Sequence, residues 1–232
     1  MNEDSPICII GARKCSKRLA EKNKLLINDL PLYMYTLRAA VNSTIFKKII
    51  FSTDDETIIN DLKYYKEIIL DNRSSEMSTD SVSMMDVTHY LMDKYNQYFI
   101  RNKSIAVMTP CNPLRNSYHI CNAHKLYLKN NALSLVSITE FPSPIERPLE
   151  INNNRVYKSW DGRVDTSKFI KHYYPNGAIV IANQKHFIEC QSFYSNNTIG
   201  YVLNWPFSLD INNENDYHLA KTIIENNFFT DM

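Results

Sequence analysis

The chain has 232 residues, 44% hydrophobic and 22% charged, with a formal net charge of +1 at pH 7. That is the composition of a globular protein long enough to bury a sizeable core in one α/β domain. A balance so near neutral excludes a general nucleic-acid binder, which carries a basic excess over a face, and no apolar run approaches the roughly 20 residues that cross a bilayer.

The N-terminal Met1-Asn2-Glu3-Asp4 lacks the basic start of a signal peptide, so a cytoplasmic protein is expected. Its five cysteines are odd in number and show no CxxC pair, which favours reduced thiols over a disulfide framework or a zinc site. The histidines are scattered; the nearest pair, His119 and His124, does not have the i,i+4 spacing of a helical metal pair.

The first predicted element is a strand, Ile7-Cys8-Ile9-Ile10, which opens into a basic loop. Arg13, Lys14, Lys17, Arg18 and Lys22, with Ser16 and Asn23, share this loop with a single acid, Glu21. The positive charge is local, which suits a small polyanion; the alternative is a solvated basic surface. The loop departs from a Walker-type phosphate loop because Lys14 and Cys15 stand where glycines would let the backbone close in, so side chains must carry more of the binding.

A helix follows over Pro31–Ala40, with Pro at its start. Lys48–Ser52 reads as a buried strand, and Thr53-Asp54-Asp55-Glu56 as a capping box opening a helix through Tyr65. A strand at Glu67–Leu70, a helix at Ser81–Tyr98, a strand at Ser104–Met108 and a helix from Ser117 to about Asn130 come next. A strand at Ala132–Ile138 completes an alternation that predicts an α/β fold, a mostly parallel sheet with helices on both faces and ligands at the strands' carboxyl ends.

Between 140 and 175 the alternation breaks. Pro142, Pro144 and Pro148, then Asp161-Gly162, predict an extended excursion with a hairpin turn, serving as a lid or an oligomerisation arm. Gly177–Ala182 resumes the sheet, Tyr201–Leu203 adds a strand, and a helix from Asp216 to about Asn227 closes a single domain over 1–232. Cys15, beside Lys14 and Lys17, is either an activated thiol or an inert replacement for glycine.

Motifs along nearly the whole chain resemble, in order, those of the acylneuraminate (CMP-sialic acid) cytidylyltransferases. Ala12, Arg13, Ser16, Lys17, Lys22 and Asn23 match the family's first loop. Phe51–Glu56, Ser78-Thr79-Asp80-Ser81, Pro113-Leu114-Arg115, Tyr173–Ala178 and Pro206–Ile211 are similar to its later segments. The resemblance implies a Rossmann-like nucleotide-diphospho-sugar transferase fold and transfer of CMP from CTP to an acidic nine-carbon sugar, with Mg²⁺ as cofactor. A soluble homodimer is also implied, with 140–175 as its arm, and neither nucleic acid nor membrane as partner.

On this resemblance Arg13 and Lys17 neutralise the triphosphate, and Ala12, Ser16, Lys22, Asn23, Thr109 and Arg115 line the nucleotide side, although Arg115 is equally suited to bracing that site. Asp80, Ser81 and Ser83 would line the sugar or ribose side, and Asn176 and Gly177 the sugar pocket; Ser78-Thr79-Asp80 otherwise reads as a helix cap and Asn176-Gly177 as a turn. Asp210 would hold the metal, a hard cation that takes carboxylate oxygens, with Asn212 and Asp216 as weaker candidates. Arg147, Arg163, Lys168 and Lys171 compete for the sugar carboxylate, and Tyr157, Trp160, Tyr173 and Tyr174 form a dimer contact or a sugar wall.

The chain departs from the family at Asn212, where a second aspartate is usual, at Lys14 and Cys15, and at Thr109-Pro110-Cys111-Asn112 in place of Gln-Pro-Thr-Ser. The alternatives are a nucleotidyltransferase for another sugar acid or alcohol, or a non-catalytic nucleotide-binding homologue. The eight-carbon sugar branch fits less well, because Lys22-Asn23 belongs to the nonulosonate pattern.

Overall fold

A computed structural model describes residues 5–143, 145–146, 148–159 and 170–228. Strand β1 (Ile7–Gly11) leads into the basic loop, which ends in a small ribbon, β2 (Leu26–Ile27) and β3 (Leu30–Pro31). Then come α1 (Leu32–Ser43), β4 (Lys48–Thr53), α2 (Glu56–Leu62) and β5 (Ile69–Asn72). The middle of the chain forms α3 (Met84–Lys94), α4 (Asn96–Phe99), β6 (Ser104–Met108), α5 (Ser117–Lys129) and β7 (Ser134–Glu140). A hairpin of β8 (Leu149–Asn152) and β9 (Arg155–Lys158) precedes β10 (Tyr173–Asn183), α6 (Gln184–Cys190), β11 (Thr198–Val202) and α7 (Glu214–Glu225).

Seven strands form one sheet in the order β11-β7-β10-β6-β1-β4-β5, parallel except where β10 runs antiparallel between β6 and β7. The apolar run of β1 is buried on both faces because side chains alternate along a strand. Cys8 and Ile10 join Leu37 of α1 and Ile120 of α5 on one side, while Ile7 and Ile9 join Leu91 of α3 and Phe187 of α6 on the other.

Several boundaries differ from the sequence expectation for local reasons. Strand β4 runs on through Thr53, whose backbone pairs with Asn72, so the α2 cap passes to Asp55, which accepts from the Thr57 amide at 2.9 Å. Asn116, rather than Ser117, caps α5. Helix α3 starts only at Met84, because Ser83 and Asp86 form a reciprocal capping box there, and neither Ser78 nor Asp80 caps it. The hairpin turns at Asn153-Asn154, with φ of 47° and 64°, the left-handed pair of a tight two-residue turn; Asp161-Gly162 lies outside the described residues.

Strand β1 pairs with β4 on one side and β6 on the other, so the chain order reverses between β1 and β6. At such a switch point the loops leaving the strands' carboxyl ends diverge and open a crevice. Here those loops are the basic loop after Gly11 and the segment that begins at Thr109. A third apolar cluster fastens the site from behind: Leu19 of the basic loop packs with Ile27, Leu32, Ile211 and Ala220. Burying an aliphatic side chain of this size stabilises by about 1.5–3 kcal/mol, so the basic loop and the segment carrying Asp210 are held together by core packing.

Candidate active site

The basic loop is ordered by hydrogen bonds to the end of β4 and within itself. The Ala12 amide extends the ladder to the Ser52 carbonyl at 2.9 Å, and the Lys14 amide donates to Asp54 Oδ1 at 2.7 Å. Asn23 Nδ2 donates to the Arg13 carbonyl at 2.8 Å, so Asn23 shapes the loop from within. Gly11 is closely approached: a Cβ there would meet Met84 Sδ at 2.7 Å and Arg73 Nη2 at 3.0 Å, so those side chains would have to shift.

Arg13, Ser16, Lys17 and Lys22 line a cavity of about 420 Å³, together with Ser83 of the α3 cap and Thr109 after β6. Arg73, which sequence reasoning missed, also faces this cavity. It is buried, with Nε donating to Ser52 Oγ at 2.9 Å and Nη2 to the Ser52 carbonyl at 2.8 Å. Desolvation lowers its pKa, partly offset by Asp54 and Asp71, and its position immediately after a strand's carboxyl end was the available signal.

A second cleft has a volume of about 960 Å³. Asn176, Gly177 and Asp210 line it, as do Phe141, Tyr174 and Trp205. Tyr174 and Phe141 pack with ring centroids 4.9 Å apart, so Tyr174 belongs to a cleft wall, while Tyr157 lies exposed on the hairpin. Gly177 has φ +70°, in the irregularity where β10 shifts register against β7, a conformation that disfavours any side chain.

The Asn176 amide group is turned inward. Its Oδ1 accepts from Ser137 Oγ at 2.5 Å and the Ala178 amide at 3.2 Å, and its Nδ2 donates to Thr139 Oγ1 at 2.8 Å. The sequence suggested this amide for the sugar; the fold uses it to hold the bulge that puts Gly177 on the cleft wall.

Asp80, Ser81 and Ser83, expected on the sugar or ribose side, stand beside the basic loop. Asp80 Oδ1 pairs with Arg13 Nη1 and Oδ2 with Lys17 Nζ, both at 2.8 Å, and Ser81 Oγ lies 3.1 Å from Thr79 Oγ1. The capping turn ahead of α3 folds back over the basic loop, so this segment stands on the cationic side. Arg115, expected near the nucleotide, is 1% exposed and lies in the core. Its guanidinium donates to Thr36 Oγ1 at 2.6 Å and contacts Met108 Sδ at 3.0 Å; burial draws its pKa down to about 10. Thr36 Oγ1 in turn donates to the Thr109 carbonyl at 3.2 Å, so Arg115 braces the nucleotide-side loop from beneath.

Lys22 of the first cavity and the segment that carries Asp210 of the second are joined directly. Lys22 Nζ donates to the Ile211 carbonyl at 2.9 Å, and the Ile211 amide donates to the Cys111 carbonyl at 2.9 Å. Asn112, fully buried, adds an amide donation to the Leu209 carbonyl at 3.3 Å. Asp210 is thus fixed through its neighbours on both sides. Burial raises its pKa, opposed by the Asn212 amide, which donates to Oδ2 at 2.8 Å, and by Lys22 and Arg18.

Oδ1 of Asp210 accepts no hydrogen bond among the described residues, and Asp210 lines the cleft, half-buried. Such a donor suits Mg²⁺, which takes one or two carboxylates and completes its shell with water and phosphate oxygens. Asp216 is differently engaged: its Oδ2 accepts from the Asn212 and Asn213 amides in the α7 capping box. Of the candidates for a sugar carboxylate, Lys171 pairs with Glu140 at 2.9 Å, while Arg147, Arg163 and Lys168, like Trp160, lie outside the described residues.

The crevice at the strand-order switch is cationic on one side and bears a carboxylate on the other, which suits a polyanionic ligand. The family model for cytidylyltransferases matches residues 7–198. The chain belongs to the cytidylyltransferase family. It is 35% identical over 220 residues to the N-acylneuraminate cytidylyltransferase of Escherichia coli, covering 94% of this chain and 51% of that protein. It is 30% identical over 232 residues to the CMP-N,N'-diacetyllegionaminic acid synthase of Legionella pneumophila, covering 95% and 97%.

Among solved structures, a CMP:2-keto-3-deoxy-manno-octonic acid synthetase complexed with CTP superposes with a TM-score of 0.68 at 12% identity, covering 97% of this chain and all of the other. That likeness concerns the cytidylyltransferase fold and bears out the Rossmann-like architecture. The chain spans about half the length of the first curated relatives it matches.

Proposed function

We propose that this chain transfers CMP from CTP to the anomeric hydroxyl of a nonulosonic acid, a sialic-acid-like sugar, releasing pyrophosphate. The observation that carries the reading is the hydrogen bond by which Lys22, in a cationic cavity, is joined to the segment of Asp210, in a larger, partly aromatic cleft. The triphosphate would lie along Arg13, Lys17 and Arg73, with Ser16 and Thr109 on the same side and the sugar between Gly177 and the Phe141–Tyr174 wall.

The sugar hydroxyl oxygen attacks the α-phosphorus in line; the new O–P bond forms as the bond to the β-phosphate oxygen breaks, and the hydroxyl proton leaves to solvent. Charge on phosphoryl oxygens makes most of the barrier, so fixed cations lower it without reorganising. Asp210, with its free Oδ1, is the residue suited to Mg²⁺, which when bound supplies further charge neutralisation on the phosphates.

The hairpin of β8 and β9 supports a homodimer. All eight of its residues are exposed, on both faces, including Leu149, Ile151 and Val156, and a two-stranded ribbon with no covered face is marginal alone. A second copy of the chain would cover it. No helix among the described residues is long and apolar enough to cross a membrane, and a reaction drawing on CTP fits the cytoplasmic nucleotide pool.

The test is incubation with each nucleoside triphosphate, Mg²⁺ and a panel of nonulosonic acids, reading pyrophosphate and the nucleotide-sugar mass. CMP-sugar formed from CTP alone among the nucleotides is the expected result. Tight CTP binding without any pyrophosphate release, insensitive to Asp210→Ala, would overturn catalysis in favour of a binding subunit.

A further inference from the structure

The carboxylate of Asp80 bridges two cations. One oxygen meets Arg13 Nη1 and the other Lys17 Nζ, each at 2.8 Å, and Arg13 Nη1 also lies 3.5 Å from the Thr79 carbonyl. Two oxygens of one anionic group, each taking a separate cation, is how a phosphate would be held by the same pair. We propose that Asp80 is an internal anion that occupies the phosphate-binding cations of the basic loop and must be displaced by the substrate's triphosphate, so that it selects for ligands of high negative charge. This rests on the reading of Arg13 and Lys17 as phosphate cations.

The fold has no other evident need of this carboxylate. Helix α3 is capped by Ser83 and Asp86, and the turn ahead of it closes through the Val82 amide and the Thr79 carbonyl. The pairs are also positioned to break. The side chains of Asp80 and Lys17 are 50% and 72% exposed, a setting in which an ion pair is screened and contributes little. A triphosphate brings several charges to the same cations and outcompetes one carboxylate, whereas a singly charged anion gains little by the exchange.

Asp80 therefore raises the threshold charge for binding, and after transfer it returns to Arg13 and Lys17 as pyrophosphate leaves. The sequence places Asp80 in a segment that could face either ligand or cap a helix; only the folded turn shows it answering the loop's charge.

Calorimetric titration of wild type and Asp80→Asn with CTP and with inorganic tripolyphosphate, at low and moderate salt, tests this. Asp80→Asn is expected to bind both ligands about three- to tenfold tighter, as loss of one or two weak competing ion pairs allows. Its affinity should also fall more steeply with salt, because solution anions replace the internal one. Equal or weaker binding of tripolyphosphate by the variant would overturn the proposal and make Asp80 an organiser of the cations instead. Tighter tripolyphosphate binding with no CTP binding by either protein would uphold it and sink the cytidylyl-transfer reading alone; no binding of either ligand would end both.

Discussion

Lys22 and Ile211 are joined by a hydrogen bond of 2.9 Å across 189 residues of sequence, from the tip of the basic loop to the segment that carries Asp210. The ammonium is directed at a carbonyl oxygen, so Lys22 ties the two halves of the site before any phosphate arrives. Lys22→Met removes one charge-assisted bond, a loss of about 1.5–3 kcal/mol. Pyrophosphate release from CTP and acceptor is expected to fall at least tenfold with far-UV circular dichroism unchanged; full activity in the variant would show the tie to be dispensable.

Asp210 pits function against stability. Burial raises its pKa above the ordinary carboxylate value of 3.8, the largest influence on it, with Asn212, Lys22 and Arg18 pulling the other way. The folded state therefore holds this proton more tightly than the unfolded state, and the stability so gained is present at low pH and lost as pH rises through the raised value. Asp210→Asn should accordingly melt higher than wild type at pH 7 while losing transfer activity by on the order of a hundredfold. A variant that melts lower would contradict the buried-charge account.

His119 runs in the opposite direction. Burial, and then Arg115, lowers its pKa from 6.5 to about 4, and its Nδ1 accepts from the Asn116 amide in the α5 capping box. Between these values the unfolded chain takes up a proton that the folded chain refuses, so stability is full above pH 6.5 and declines toward pH 4. Urea unfolding at pH 7 and pH 5 should differ by up to about 2 kcal/mol more in wild type than in His119→Gln. An unchanged pH slope in the variant would place the acid sensitivity elsewhere.

Ile151 and Val156 face each other in the hairpin register and are 73% and 60% exposed. Ile151→Asp should shift the species seen by light scattering from dimer to monomer, with the melting of the main sheet little altered. A wild-type monomer at micromolar concentration would sink the dimer proposal.

Much of the fold is legible in the chain because its signals are local. The unbroken apolar run Ile7–Ile10 cannot satisfy a one-sided sheet, and strands alternating with amphipathic helices leave few arrangements other than a covered, mostly parallel sheet. The basic loop stands out for a similar reason: its charges are neighbours in sequence, and Ala12, Arg13, Ser16, Lys17, Lys22 and Asn23 lie close enough together to resemble a family motif.

What the chain could not reveal is which polar groups meet over long separations. From sequence Arg115 could line the nucleotide or brace its site, and only the fold puts it in the core with Thr36; Asn176 looks like a sugar ligand, yet its amide is closed on Ser137 and Thr139. Arg73 gave no motif, and Asp80 gave an ambiguous one, until the sheet brought Ser52 under the first and Arg13 and Lys17 onto the second. Periodicity and composition determine which segments pair and bury, because those energies sum over many residues. A hydrogen bond between two side chains depends on a single distance and angle, and only the packed tertiary structure decides those.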